Sequence, residues 1–212
     1  MNKVAKKPTP KRQATEQRII KAFEKVLRRD GAEKLGVNAI IKEAGVGKGL
    51  LYDYFGGLEG LAEAWVKNTD FVPSMEDIVG EPLETFREKS TAECIGQIHV
   101  NYATMLKQDK LAGQLMAEEL LKKSALSKPM QTIRHHIGKS HEAFFMQDEK
   151  FMDPDAMALI FVLQAASNYL ALRAQHAPVY NGIDIGKPEG WDMMMQMIKQ
   201  VAELGPGEPE SK

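Results

Sequence analysis

Lys48, Tyr52 and Tyr54 place an ammonium and two phenol hydroxyls within one short stretch, with Gly47 and Gly49 on either side of the lysine. Side chains of these types bond phosphate oxygens, and a lysine also reaches a guanine edge. Leu50, between them, offers apolar contact to a thymine methyl. Gly49 leaves the backbone bare, so a duplex can come close. Asn38, ten residues earlier, is able to pair with adenine. Lys11 and Arg12 add cations that can track phosphates or enter a minor groove. Each has a second reading: Leu50 and Tyr54 as packing residues, Lys48 as a solvated charge. Asp53 counts against the set, since its carboxylate repels phosphates unless it accepts from a cytosine amine.

Other chemistries find less support. Gly45-Val-Gly-Lys-Gly49 lacks the four-residue gap, the Ser/Thr after lysine and the preceding strand of a phosphate loop. His135 and His136 are adjacent and point about 100° apart on a helix. Cys94 and His99 have no second pair to complete a metal set, and His141 with Glu142 has no partners either. No metal, no cofactor and no catalytic triad is therefore expected, and the chain does not read as an enzyme. Cys94, a lone thiol, cannot form an internal disulfide, which fits a reducing, cytoplasmic setting. No signal-like apolar segment opens the chain. The longest apolar run, Met157 to Leu172, is interrupted by Gln164, Ser167 and Asn168, so no membrane span is expected.

The elements that must hold these residues are helices. Residues 1–12, with Pro8 and Pro10 among lysines, read as a basic arm. A helix is predicted from Thr15, with Ile19, Ile20, Phe23, Val26 and Leu27 on one face and Gly31 as its stop. Val37–Ala44 forms a second helix, ended by Gly45. Residues 46–49 turn, and Leu50 to Phe55 begin a third helix, stopped by Gly56 and Gly57. A fourth starts at Leu58 and carries Trp65. Three short helices with a glycine-bearing turn between the second and third make a helix-turn-helix, locked by Ile40, Ala44, Val46, Leu51 and Phe55. Further helices are predicted over 84–107, 110–123, 129–147, 153–176 and 188–204. Residues 71–82 and 177–187 read as connections, and 205–212 as a disordered tail. The fold class is all-α: a basic arm (1–12), a helix-turn-helix domain (13–57) and a helical domain (58–204).

Charge follows the same division. Residues 1–30 hold ten Lys/Arg and three Asp/Glu, a surplus of +7, while the other 182 residues sum to −8. Gathering basic charge at one end suits a module that meets nucleic acid, although a solvated basic tail would look the same.

Ala44-Gly-Val-Gly-Lys-Gly-Leu-Leu-Tyr-Asp-Tyr-Phe55 resembles the signature of TetR-family repressors, which usually reads Ala-Gly-Val-Ser-Lys-Gly-Thr-Leu-Tyr, any residue, Tyr-Phe. This chain departs at Gly47, at Leu50, and at Gly56-Gly-Leu58, where Lys-Ser-Lys is usual. The resemblance is specific over residues 13–67. It implies DNA contacts by Lys48, Gly49, Leu50, Tyr52 and Tyr54, with Asn38 at a position where the family often has arginine. It also implies a homodimer through the last two long helices, and a small-molecule effector that shifts the fourth helix and so moves the two recognition helices.

Residues 153–176 are apolar on all sides, as in a helix buried on all sides, which a second subunit would achieve. Ten of twelve methionines lie at Met105 or later. Methionine lines adaptable cavities but also fills ordinary cores. The effector-site candidates are Cys94, Ile98, Tyr102, Met105, Met116, Leu120, Phe144, Phe161, Gln164 and Asn168. Gln164 and Asn168 share a helix face and either bond a ligand or satisfy their surroundings. The leading expectation is a ligand-responsive repressor of a near-palindromic operator with a mostly apolar effector. An activator is left open, because the sequence does not encode where its operator lies. The alternative is a helical ligand- or partner-binding protein whose DNA binding is weak or lost, motivated by Asp53, Gly56 and Leu58.

Overall fold

The computed structural model describes residues 9–68, 73–121 and 142–205, with Gln131 and Lys139; the side chains of residues 33 and 118–121 lie outside that description. Most of the helix expected over 129–147, His135, His136 and His141, the start of the arm and nearly all of the tail also lie outside it. The described chain forms two compact units.

The first unit is built on α1 (Pro10–Asp30), α2 (Val37–Ala44), α3 (Lys48–Phe55) and α4 (Leu58–Lys67). Helix α1 begins five residues before its predicted start. Thr9 is the N-cap, its side chain accepting from the Arg12 amide, and Pro10 occupies the first helical position, where its fixed φ fits and its missing N–H costs nothing. Lys11 and Arg12 therefore lie in the first turn of a helix rather than in an extended arm. The buried face of α1 is Ile19, Ile20, Ala22, Phe23, Val26 and Leu27, and Phe23 lies 5.5 Å from Trp65 of α4, ring centre to ring centre. Trp65 donates its indole N–H to Glu24. Arg29 of α1 pairs with Glu43 of α2 at 2.8 Å, fixing one to the other.

The second unit is arranged around α7 (Thr91–Gln108). Before it come two five-residue helices, α5 (Met75–Val79) and α6 (Leu83–Arg87), where the sequence reading had a connection and the start of one long helix. The division at residue 90 has a local cause. Ser90 and Glu93 form a capping box: each side chain bonds the other's backbone N–H and so starts a new helix. After α8 (Lys110–Leu121) the described chain resumes at residue 142, and two long helices follow, α9 (Pro154–His176) and α10 (Pro188–Glu203). Both pack along α7. At Gly96 a Cβ would stand 3.4 Å from the Lys199 backbone, in ordinary van der Waals contact, so α7 and α10 touch at this point. Between α9 and α10 the expected loop contains a two-stranded antiparallel hairpin, β1 (Val179–Tyr180) and β2 (Ile183–Asp184), turned by Asn181 and Gly182 at positive φ. Apart from that hairpin the described residues outside loops and turns are helical, as the all-α reading expected.

Two buried polar contacts tie α7 to α9. The His99 ring faces the Ile95 carbonyl at 2.7 Å through Nδ1 and the Ile160 carbonyl at 3.1 Å through Nε2, and Ser167 donates to the His99 carbonyl. Burial pushes the His99 pKa down, favouring the neutral ring. The Gln175 amide donates to the carbonyls of Leu106, Lys107 and Asp109, capping the C-terminal end of α7 from α9.

By length and composition alone α9, whose most apolar 18-residue stretch has a mean hydropathy of 1.4, meets the measure of a membrane-crossing helix despite Gln164, Ser167 and Asn168, a measure that core helices also meet. Alanines and large aliphatics outweigh the three polar side chains in the mean. One face of the helix, Ala156, Ile160, Leu163, Ser167 and Ala171, is buried in the unit.

Candidate nucleic-acid interface

Helix α3 is held by a single fully buried side chain, Leu51. It is set between glycines: Gly45 ends α2 at φ 62°, Gly47 caps α3, and Gly56 and Gly57 end it at φ 71° and 133°. An L-residue would be strained at Gly57. The helix starts at Lys48, two residues before its predicted start. Its cap, Gly47, has no side chain to satisfy the first amides, which leaves that end open to an anion. Ile40 and Ala44 of α2 are buried with Leu51, while Val46 and Phe55 are only partly so.

Apart from Leu51 and the partly buried Tyr54 and Phe55, the α3 residues are exposed. Leu50 is 37% exposed and Tyr52 47%, so neither belongs to the core. Lys48, Gly49 and Asp53 are exposed, as is Asn38 at the start of α2. Lys48 Nζ lies 5.8 Å from the centre of the Tyr52 ring. Tyr54 is half-buried and carries the Arg12 guanidinium over its ring at 4.7 Å. Arg12 also donates to Glu16 at 2.7 Å. The bond to Glu16 holds the guanidinium charged, and Tyr54 and Asp53 nearby add to the effect. Lys11 is exposed one residue away. The structure thus joins the start of α1 to the end of α3, a proximity that sequence spacing did not reveal. Asp53, which the sequence marks as unfavourable to phosphates unless it accepts from a cytosine amine, sits in the middle of the outward side.

Of the proposed effector residues, all but Leu120 lie in the second unit. Cys94, Ile98 and Phe144 are buried in its core, with Tyr102, Met105 and Met116 packed against that core. The Cys94 thiol donates to the Phe86 carbonyl at 3.2 Å, and burial raises its pKa, so it rests as a neutral thiol. Phe144 lies 6.0 Å from Phe86, with the Arg87 guanidinium over its ring. Gln164 donates to Asn168 at 3.0 Å, so the two amides satisfy each other in part. Phe161 is not in this group: it is 66% exposed, on the other side of α9 from Ile160 and Leu163. The Leu120 side chain lies outside the described residues. On the side of α9 away from the core, Phe161, Val162 and Tyr169 are exposed, and Met193 and Met197 are exposed on α10.

Comparison with known proteins bears out the resemblance read from residues 44–55. Residues 19–65 match the model of the family described as bacterial regulatory proteins, tetR family. No curated protein matches the sequence. Among solved structures, a TetR-like transcriptional regulator from Rhodococcus sp. RHA1 is 15% identical, with a TM-score of 0.57 over 93% of this chain and 97% of its own. The fatty acid degradation regulator FadR from Bacillus halodurans is 17% identical, with a TM-score of 0.54 over 93% of this chain and 96% of its own. FadR from Bacillus subtilis, solved in complex with stearoyl-CoA, is 16% identical, with a TM-score of 0.56 over 88% and 96%. At these identities the likeness is one of fold, a helix-turn-helix module followed by a helical domain.

Proposed function

We infer that the chain is a TetR-family transcriptional regulator that reads operator DNA through α3 as a homodimer and leaves it when a small, mostly apolar effector binds. One observation carries this reading. Within the stretch that matches the family model, α3 buries only Leu51 and turns Lys48, Gly49, Leu50 and Tyr52 outward. A helix so mounted fits the major groove, where each base pair shows its own donors, acceptors and methyls. Lys48 and the tyrosines grip phosphate, Leu50 meets a thymine methyl, and Asn38 bonds adenine. Lys11 and Arg12, with the lysines before them in the chain, add sequence-independent attraction. DNA reading is assigned to residues 13–57; effector binding and dimerisation are assigned to 58–204.

The exposed apolar side of α9 and α10 supports the dimer. Phe161, Val162 and Tyr169 on α9 and Met193 and Met197 on α10 are exposed apolar side chains that a second copy would cover across a two-fold axis. Dimerisation sets two recognition helices about one DNA turn apart, roughly 34 Å, so the operator is a near-palindrome. The core that holds Cys94, Ile98, Tyr102, Met105, Met116 and Phe144, with Gln164 and Asn168 on α9 beside it, is where the effector acts. Its apolar character suits a long acyl chain, the ligand class held by the Bacillus subtilis FadR. An effector of this kind must bind the DNA-free state better, or nothing changes; repression follows if the operator overlaps a promoter.

Selection of DNA from a random pool by the purified protein, followed by salt titration of the best sequence, tests the reading. A near-palindrome whose log affinity falls steeply with log salt is the expected result. Acyl-CoA added to that complex should then release it. Failure to select any sequence, with weak binding at low salt, would favour a partner-binding protein.

A further inference from the structure

Gly49 and Asp53 are four residues apart on α3 and so lie one above the other along the helix. Both are exposed, with Leu50 and Tyr52 flanking them and the Leu51 anchor buried behind. Nothing stands within 4 Å of where a Cβ would sit on Gly49. A surface docking on α3 comes in low over Gly49 and meets the Asp53 carboxylate one turn on. Among the described residues no hydrogen bond or ion pair occupies that carboxylate. A cation from another helix is nevertheless near: Arg12, paired with Glu16, is stacked over Tyr54, the next residue, and interacts electrostatically with Asp53.

We propose that Asp53 determines sequence specificity, its carboxylate accepting a hydrogen bond from the N4 amine of a cytosine in the major groove, with Arg12 supplying the positive charge that lets a carboxylate approach the duplex. The proposal rests on the DNA-reading function inferred above. Its chemistry is selective. A carboxylate offers acceptors only. Guanine shows it two acceptors, N7 and O6, and thymine an acceptor and a methyl, so both repel it. Adenine has an amine, but one set between its own N7 and the O4 of the paired thymine, both acceptors. The cytosine amine has the paired guanine O6 on one side and only a C–H on the other, so a carboxylate meets least repulsion there. The same charge that opposes phosphate contact thereby turns wrong bases away.

Full-length wild type, Asp53→Asn and Asp53→Ala are each put through the same DNA selection. Wild type should enrich cytosine about tenfold at one position of each half-site. Asp53→Asn should move that one position to adenine, since an amide both accepts from N6 and donates to N7. Asp53→Ala should leave it without preference, while every other position keeps its wild-type base in both variants. The retained positions show that the variants fold. A wild-type site with no such cytosine, or one profile shared by wild type and Asp53→Asn, overturns the assignment while leaving the regulator reading intact. A wild type that selects no sequence overturns both.

Discussion

Replacing Phe161 by aspartate tests the dimer at the point where the structure gives a magnitude. The side chain is 66% exposed in the single chain. Complete burial of a phenylalanine is worth about 2–3 kcal/mol, so covering that two-thirds contributes about 1.5 kcal/mol. A two-fold interface counts every residue twice, which raises the contribution to about 3 kcal/mol of dimer. At 1.4 kcal/mol per decade, truncation alone weakens the dimer roughly a hundredfold. Aspartate adds two carboxylates to a covered apolar face, so the loss exceeds that figure. Sedimentation velocity over a dilution series reads the result directly. Wild type should be dimeric at micromolar concentration and Phe161→Asp monomeric. Thermal unfolding of the variant's monomer should show an intact fold, because Phe161 is outside the core. A wild type that stays monomeric, or a Phe161→Asp variant that dimerises like wild type, would refute the assignment of this face.

Three further outcomes follow from the described contacts. His99 has a lowered pKa in the folded state, so the unfolded chain binds the extra proton first. Stability is complete above the unfolded value, near 6.5, and declines as pH falls below it. Urea midpoints at pH 7.5 and 5.5 should differ for wild type, and that difference should shrink in His99→Gln. Gln175→Ala removes the donor from three carbonyls at the end of α7 and should cost about 1–3 kcal/mol by chemical denaturation; a change within error would mean that water replaces the amide. Gly57→Ala forces an L-residue to φ 133° and should cost about 1–3 kcal/mol, visible as a lower Tm, whereas Gly49→Ala, in open space with ordinary helical φ, should not lower it.

The helix-turn-helix was readable because its signals are local. Gly45, Gly56 and the spacing of Ile40, Ala44 and Leu51 each act within a few residues. Some boundaries were equally local but obscured. Thr9-Pro10 is a cap followed by a first-turn proline, yet its lysine-rich setting also suits an arm. Ser90 with Glu93 carries a helix start inside what periodicity alone joins into one helix. Asn181-Gly182 signals a tight hairpin turn, but strands of two residues leave no alternation to detect. The second unit is harder for a different reason. Since α9 is apolar all round, no period says that Ile160 faces inward and Phe161 outward; packing against α7 decides it. The stacking of Arg12 on Tyr54 joins residues forty-two apart and has no sequence signal at all.

That Leu51 is the one fully buried side chain of α3 has an evolutionary consequence. The side chains that would meet bases carry almost none of the packing that keeps the helix in place. Exposed positions accept substitution at little cost in stability. Gene duplicates could therefore diverge toward new target sites by changes at residues 49, 50, 52 and 53 without first acquiring compensating mutations in the core. The same freedom would let a designer vary four positions of the helix without disturbing the packing that seats it.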